Sequence, residues 1–160
     1  KINIETMALK GCVYGEIARN IMRIEEGLVS NDDIAVTKKW GIKKLQNYGL
    51  ENLSFRNTSF FNKRNYDYAF YGLIPIGEIR MLFSNSLIFK NEGMKLEKKS
   101  MGILGSSCFS STAGSMIAVG FVRYYKNVLG SNVLVFNEQE NIETYCKIVP
   151  LSNLIGKIAN

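Results

Sequence analysis

The stretch "NVLVFNEQENIETY" (132–145) is the first place where residue types and spacing in this sequence could do chemistry. An apolar run at 133–136 breaks into polar residues and returns as an alternating run at 142–145, which predicts a strand, a tight turn and a returning strand. A turn of that shape can grip a phosphate through backbone N–H groups. Such a grip is helped by a glycine, which lets the backbone approach, and an aspartate, which orients a metal and its water. This turn offers Asn137 and Gln139 instead. A second cluster, "GSSCFSS" (105–111), gathers hydroxyls around Cys108 but lacks the G-x-S-x-G spacing of a nucleophile elbow. The chain has no histidine, which excludes Ser–His and Cys–His nucleophile pairs and nearly every zinc site. The serines therefore predict the capped start of a helix.

Other reactive side chains have plainer readings. Glu25, Glu26, Asp32 and Asp33 read as a solvated strand end and the first turn of a helix. Cys12, Cys108 and Cys146 are odd in number, far apart and in apolar surroundings, as expected of buried free thiols rather than a disulfide framework. Trp40, alone on an amphipathic stretch, reads as core or as a partner contact.

A length of 160 residues suits one domain of two small lobes, and 46% apolar content with both charge signs marks a globular chain. The net charge of +6 comes from scattered lysines, a solvated face that would weakly favour acidic partners or an anionic membrane surface. No aromatic residues alternate with arginines, so nucleic acid is not indicated, and a basic nucleic-acid-binding module stays a minor alternative. "MIAVGFV" (116–122) is too short to span a bilayer, and the N-terminus has no signal-peptide pattern. These features predict a cytosolic chain, or the cytosolic part of something longer.

The elements that would position these residues follow from periodicity. "KINIE" and "ALKGCVYGEIA" predict two strands, and "RNIMRIEEGL" a third. Ser30 or Asn31 then caps a helix, with Asp32 and Asp33 in its first turn and Gly49 as its stop. "LSFRNTSF" (53–60) and "YDYAFYGLI" (66–74) predict a hairpin whose second strand is covered on both faces. Pro75 opens a helix carrying Ile76, Ile79, Phe83 and Leu87, and Gly93 ends it. "MKLEKKSM" is a short strand. A helix at about 105–126, rich in small residues, presses Ala113 and Gly120 against its neighbours. After the 132–149 hairpin, "LSNLIGKIAN" begins another helix.

That order, mixed strands and helices of an α/β chain, resembles the actin-like (ribonuclease-H-like) fold in the PilM and GspL family of pilus and secretion assembly proteins. In the family's first phosphate turn, apolar-Asp-apolar-Gly-x-x-x-apolar-Lys, Asn3 stands for the aspartate and Glu5 for the glycine, while Lys10 is kept. In its second, Asn137 replaces aspartate and Gln139 replaces glycine. The resemblance implies that nucleotide and metal chemistry is lost, with no cofactor and no catalytic residue; a nucleotide-binding actin-like protein is the alternative. The short form is similar to cytoplasmic domains of bundle-forming (type IVb) pilus assembly proteins. This implies a non-catalytic adaptor at the cytoplasmic face of a bacterial inner membrane, with a transmembrane segment expected after Asn160. Its partners would be the pilus assembly ATPase and the polytopic inner-membrane platform protein, with type II secretion as the related setting.

Overall fold

A computed structural model of the chain describes residues 15–39, 68–77, 81–92, 95–96, 100–123, 127–152 and 154. Asn3, Glu5, Lys10, Cys12, Trp40, Gly49, Gly93, the predicted strands at 1–5 and 53–60 and the final helix beyond 154 lie outside the described residues.

Two helices come first among the described residues. α1 (Glu16–Glu25) presents Ile17, Ile21 and Ile24 at four- and three-residue steps, with Glu16 in the first turn and Arg23 in the last, both favourable to the helix dipole. Ile24 is fully buried, a contribution of roughly 1.5–3 kcal/mol. The stretch 19–28, expected as a strand, is thus mostly helix, and so are residues 16–18 of the strand expected over 8–18: Ile21 and Ile24 also satisfy the helical step, and Ile24 is the residue that finds a buried partner, while Ile17 stays exposed. Gly27 ends the helix at φ 71°, with Leu28 N–H donating to Arg23 O and Gly27 N–H to Ile24 O, the two bonds of a Schellman close. α2 (Asn31–Lys39) follows, and of the two expected caps Ser30 is the one that takes the role.

The remaining elements are strands: β1 (Tyr68–Pro75), β2 (Leu87–Glu92), β3 (Lys95–Leu96), β4 (Gly102–Ser110), β5 (Ser115–Arg123), β6 (Asn132–Asn137) and β7 (Ile142–Val149). All pairings are antiparallel, in the order β3-β2-β4-β5-β1-β7-β6. β2 also pairs with β6, from Leu87↔Phe136 to Lys90↔Val133, and this contact closes six strands into a barrel. The α/β actin-like architecture is overturned by this closure.

Two expected elements change with it. Where a helix is expected at about 105–126, the described residues 105–123 belong instead to the β4–β5 hairpin, joined by a turn at 111–114. Its apolar run is continuous because β5 is buried on both faces, and periodicity alone does not separate such a strand from a buried helix. Pro75 ends β1 rather than opening a helix, and Leu87 begins β2. The β6–β7 hairpin stands as expected, with Asn141 at φ 52° supplying the left-handed turn residue that a glycine otherwise provides.

One face of each strand fills the barrel: Ala69, Tyr71 and Leu73 of β1, Met116, Ala118 and Val122 of β5, Val133 and Val135 of β6, Cys146 and Ile148 of β7. The other face of β5, with Ile117 and Val119, packs with Ile24, Val29 and Ile34 beneath the helices. Phe121 lies on the same outer side, stacked on Tyr68 at 5.5 Å and tilted against Phe70 at 4.9 Å. Gly120 points into the barrel, where an added Cβ would meet Leu73 Cδ1 at 2.5 Å. The close contact expected at Gly120 is real, but it lies between strands.

Candidate functional site

Polar side chains gather in two places. The first is the end of the barrel where β1 stops and β2 starts. Asn137, expected at a degraded phosphate turn, directs Nδ2 inward to Ser86 Oγ at 3.1 Å, and its Oδ1 accepts from Glu140 N–H at 2.9 Å. Ser86 Oγ in turn donates to Phe83 O, Ser107 Oγ to Leu82 O and Thr144 Oγ1 to Met81 O. Neutral side chains thus tie the segment 81–86 across the barrel mouth, and Leu82 enters the core. Gln139 lies in the exposed 138–141 turn. Asn137 is therefore committed to the fold, while Asn3, Glu5 and Lys10 lie outside the described residues.

The second gathering is the elbow between α1 and α2, where it rests on β4. Ser30 and Asp33 form a capping box: Ser30 N–H donates to Asp33 Oδ2 at 2.8 Å, and Asp33 N–H donates to Ser30 Oγ at 3.3 Å. Asp33 Oδ2 also accepts from Ser30 Oγ at 3.0 Å and from Arg23 Nη1 at 2.7 Å. Arg23 Nη1 reaches Leu28 O at 2.7 Å as well, while Nε and Nη2 donate to Asn20 Oδ1 at 3.1 and 2.6 Å. The side chain of Asp33, expected on a solvated turn, has 0% of its surface exposed.

Its second oxygen, Oδ1, is buried without a hydrogen-bond partner among the described residues. That oxygen lies against Gly105, where an added Cβ would stand 2.5 Å from it. Gly105 falls in a bulge: the β4–β5 register steps from Leu104↔Gly120 to Ser107↔Ala118, leaving one extra residue on β4. The "GSSCFSS" cluster thus begins at this bulge rather than on a helix.

Beyond the bulge, Ser110 Oγ donates to Glu25 Oε1 at 2.5 Å and accepts from Ala113 N–H at 3.0 Å. Ser110 is fully buried. Cys108 lies nearby. Burial first, and then the Glu25 carboxylate, push its thiol up to about 11, while Arg23 pulls it back. Burial alone pushes the Cys146 thiol, inside the barrel, up to about 12. Both remain protonated at neutral pH, so neither is a poised nucleophile. Among the described residues no group of three or more Asp, Glu, His or Cys is placed to hold a metal, and no helix is long and apolar enough to cross a membrane.

No family model and no curated protein matches the chain. A solved structure, the glycine cleavage system aminomethyltransferase T of Bartonella henselae, is similar in fold, with a TM-score of 0.52 and 20% sequence identity. The match covers 85% of this chain and 38% of that one, so the chain spans well under half the length of its structural neighbour. At this identity the likeness is one of fold.

Proposed function

We propose that the barrel is a ligand-holding domain related to aminomethyltransferases, with Glu25 as its receiving carboxylate and no reacting group of its own among the described residues. The observation that carries this reading is the 2.5 Å hydrogen bond from buried Ser110 to Glu25. A carboxylate fixed through one oxygen keeps its orientation and offers the other to an N–H donor, in a bond about twice as strong as a neutral one. An aminomethyl group carries such a donor. The raised thiols favour holding over covalent transfer.

The test is amide NMR of the whole chain titrated with methylamine and with glycine. Shifts centred on 23–26 and 108–113 are expected, and they should vanish in Glu25→Gln. If neither compound moves these signals in the wild-type chain, Glu25 holds no amine and the reading falls. The adaptor role, with an assembly ATPase and a membrane platform as partners at the cytoplasmic face of an inner membrane, drew its support from an actin-like order. With a barrel in that order's place the role loses that support, and a pull-down against both is its test.

A further inference from the structure

Asp33 touches both elements that bring Glu25 and Ser110 together. Through Oδ2 it binds Arg23, two residues before Glu25 at the end of α1. Through Oδ1 it rests on Gly105, five residues before Ser110 on β4. Arg23 is itself pinned to Asn20 and to Leu28 O, so the last turn of α1, the elbow and the first turn of α2 are joined by one set of hydrogen bonds. Little play remains on the strand side, where any side chain at 105 would collide with the carboxylate. Glu25 ends the helix, so a small rotation of α1 would move it relative to Ser110. Their O–H···O bond of 2.5 Å is at the short limit for such bonds and tolerates little displacement.

From this geometry we infer that Asp33 is a positioning residue for Glu25, setting how the helix that carries Glu25 meets the strand that carries Ser110. The functional meaning rests on the proposed role of Glu25, but the positioning itself is measurable without any ligand. A buried hydroxyl bonded this tightly to a carboxylate exchanges slowly and resonates far downfield. In proton NMR of the full chain it is identified by its loss in Ser110→Ala. Asp33→Asn keeps the shape of the side chain and removes its charge, and is expected to abolish or shift this signal and to move the Ala113 amide. Gly105→Ala, which leaves both charges in place, is expected to do the same by displacing the carboxylate, and it decides the matter if Asp33→Asn does not fold. An unchanged hydroxyl signal in either folded variant means that Asp33 only stabilises the elbow, and the inference is overturned. Because amine binding is not part of this readout, a failure here is distinct from a failure of the ligand-holding proposal.

Discussion

The barrel mouth and the helix elbow solve the same problem, fastening a non-strand segment to the barrel, with different chemistry. At the mouth, Ser86, Ser107, Asn137 and Thr144 are neutral, and each finds a partner in the segment 81–86 or in its own turn. At the elbow the fastening is a buried ion pair, Arg23–Asp33 at 2.7 Å, and one carboxylate oxygen has no partner among the described residues. A neutral bond contributes about 1 kcal/mol net, and its loss can be shared by neighbours or water. A buried charge deprived of its counter-ion has no such refuge. The mouth is therefore built to tolerate damage and the elbow is not.

The sharpest way to break this comparison is Asp33→Ala, which leaves Arg23, its side chain only 17% exposed, without its counter-ion. A loss of about 3–5 kcal/mol in urea unfolding is expected; a loss below about 1 kcal/mol would place the elbow in the same class as the mouth. Next comes Gly120→Leu, inside the barrel, where the new side chain would meet Leu73 and Ile88. Overpacking there should cost on the order of 1–3 kcal/mol, and an unchanged midpoint would show that the interior has room to spare. Asn137→Ala probes the mouth directly. Ser86 keeps its bond to Phe83 O and the Glu140 amide sits in an exposed turn, so a loss of about 1 kcal/mol is expected, well below that of Asp33→Ala.

A separate probe of the barrel interior is alkaline pH. Both thiols have folded values above the ordinary 9, at about 11 for Cys108 and about 12 for Cys146. Between pH 9 and these values the unfolded chain loses protons that the folded chain keeps. Stability present below pH 9 is therefore lost as pH rises through this window. The slope from Cys146 is on the order of 1 kcal/mol per pH unit. Denaturant titrations from pH 8 to 11 should show a shallower decline in Cys146→Ala than in the wild type, and equal slopes would mean that the barrel interior admits the thiolate.

What the sequence disclosed depended on whether a signal was local. The β6–β7 hairpin and the Ser30 cap were legible because alternation, turn polarity and an S-x-x-D box lie within a few residues of one another. β1 was legible too, including its cover on both faces. The β4–β5 hairpin was not: residues 109, 113, 116, 117 and 120 fit a helical step, but Phe109 stands exposed on β4, Ala113 lies in the turn, and 116, 117 and 120 belong to the doubly buried β5. α1 failed in the opposite direction, its alternation masking a four-three repeat that Gly27 closes. Burial of Asp33 had no sequence signal, since its counter-ion lies ten residues away across an elbow. The Glu25–Ser110 bond spans 85 positions and follows only from the barrel's closure.

The position of β1 has a consequence for how the molecule is made. It sits between β5 and β7, pairing Tyr68 with Arg123 on one side and Gly72 with Val149 on the other, whereas β4–β5 and β6–β7 are hairpins between chain neighbours. Hairpins close in microseconds, but a strand whose partners lie far along the chain must wait for a long loop to be drawn in, and such contacts slow folding. β1 acts as the keystone of assembly: both hairpins can form without it, yet neither can join the other across this side of the barrel until it arrives. In pulse-labelled hydrogen exchange during refolding, the amides of 69–74 are expected to gain protection last, and protection there ahead of either hairpin would remove β1 from that role.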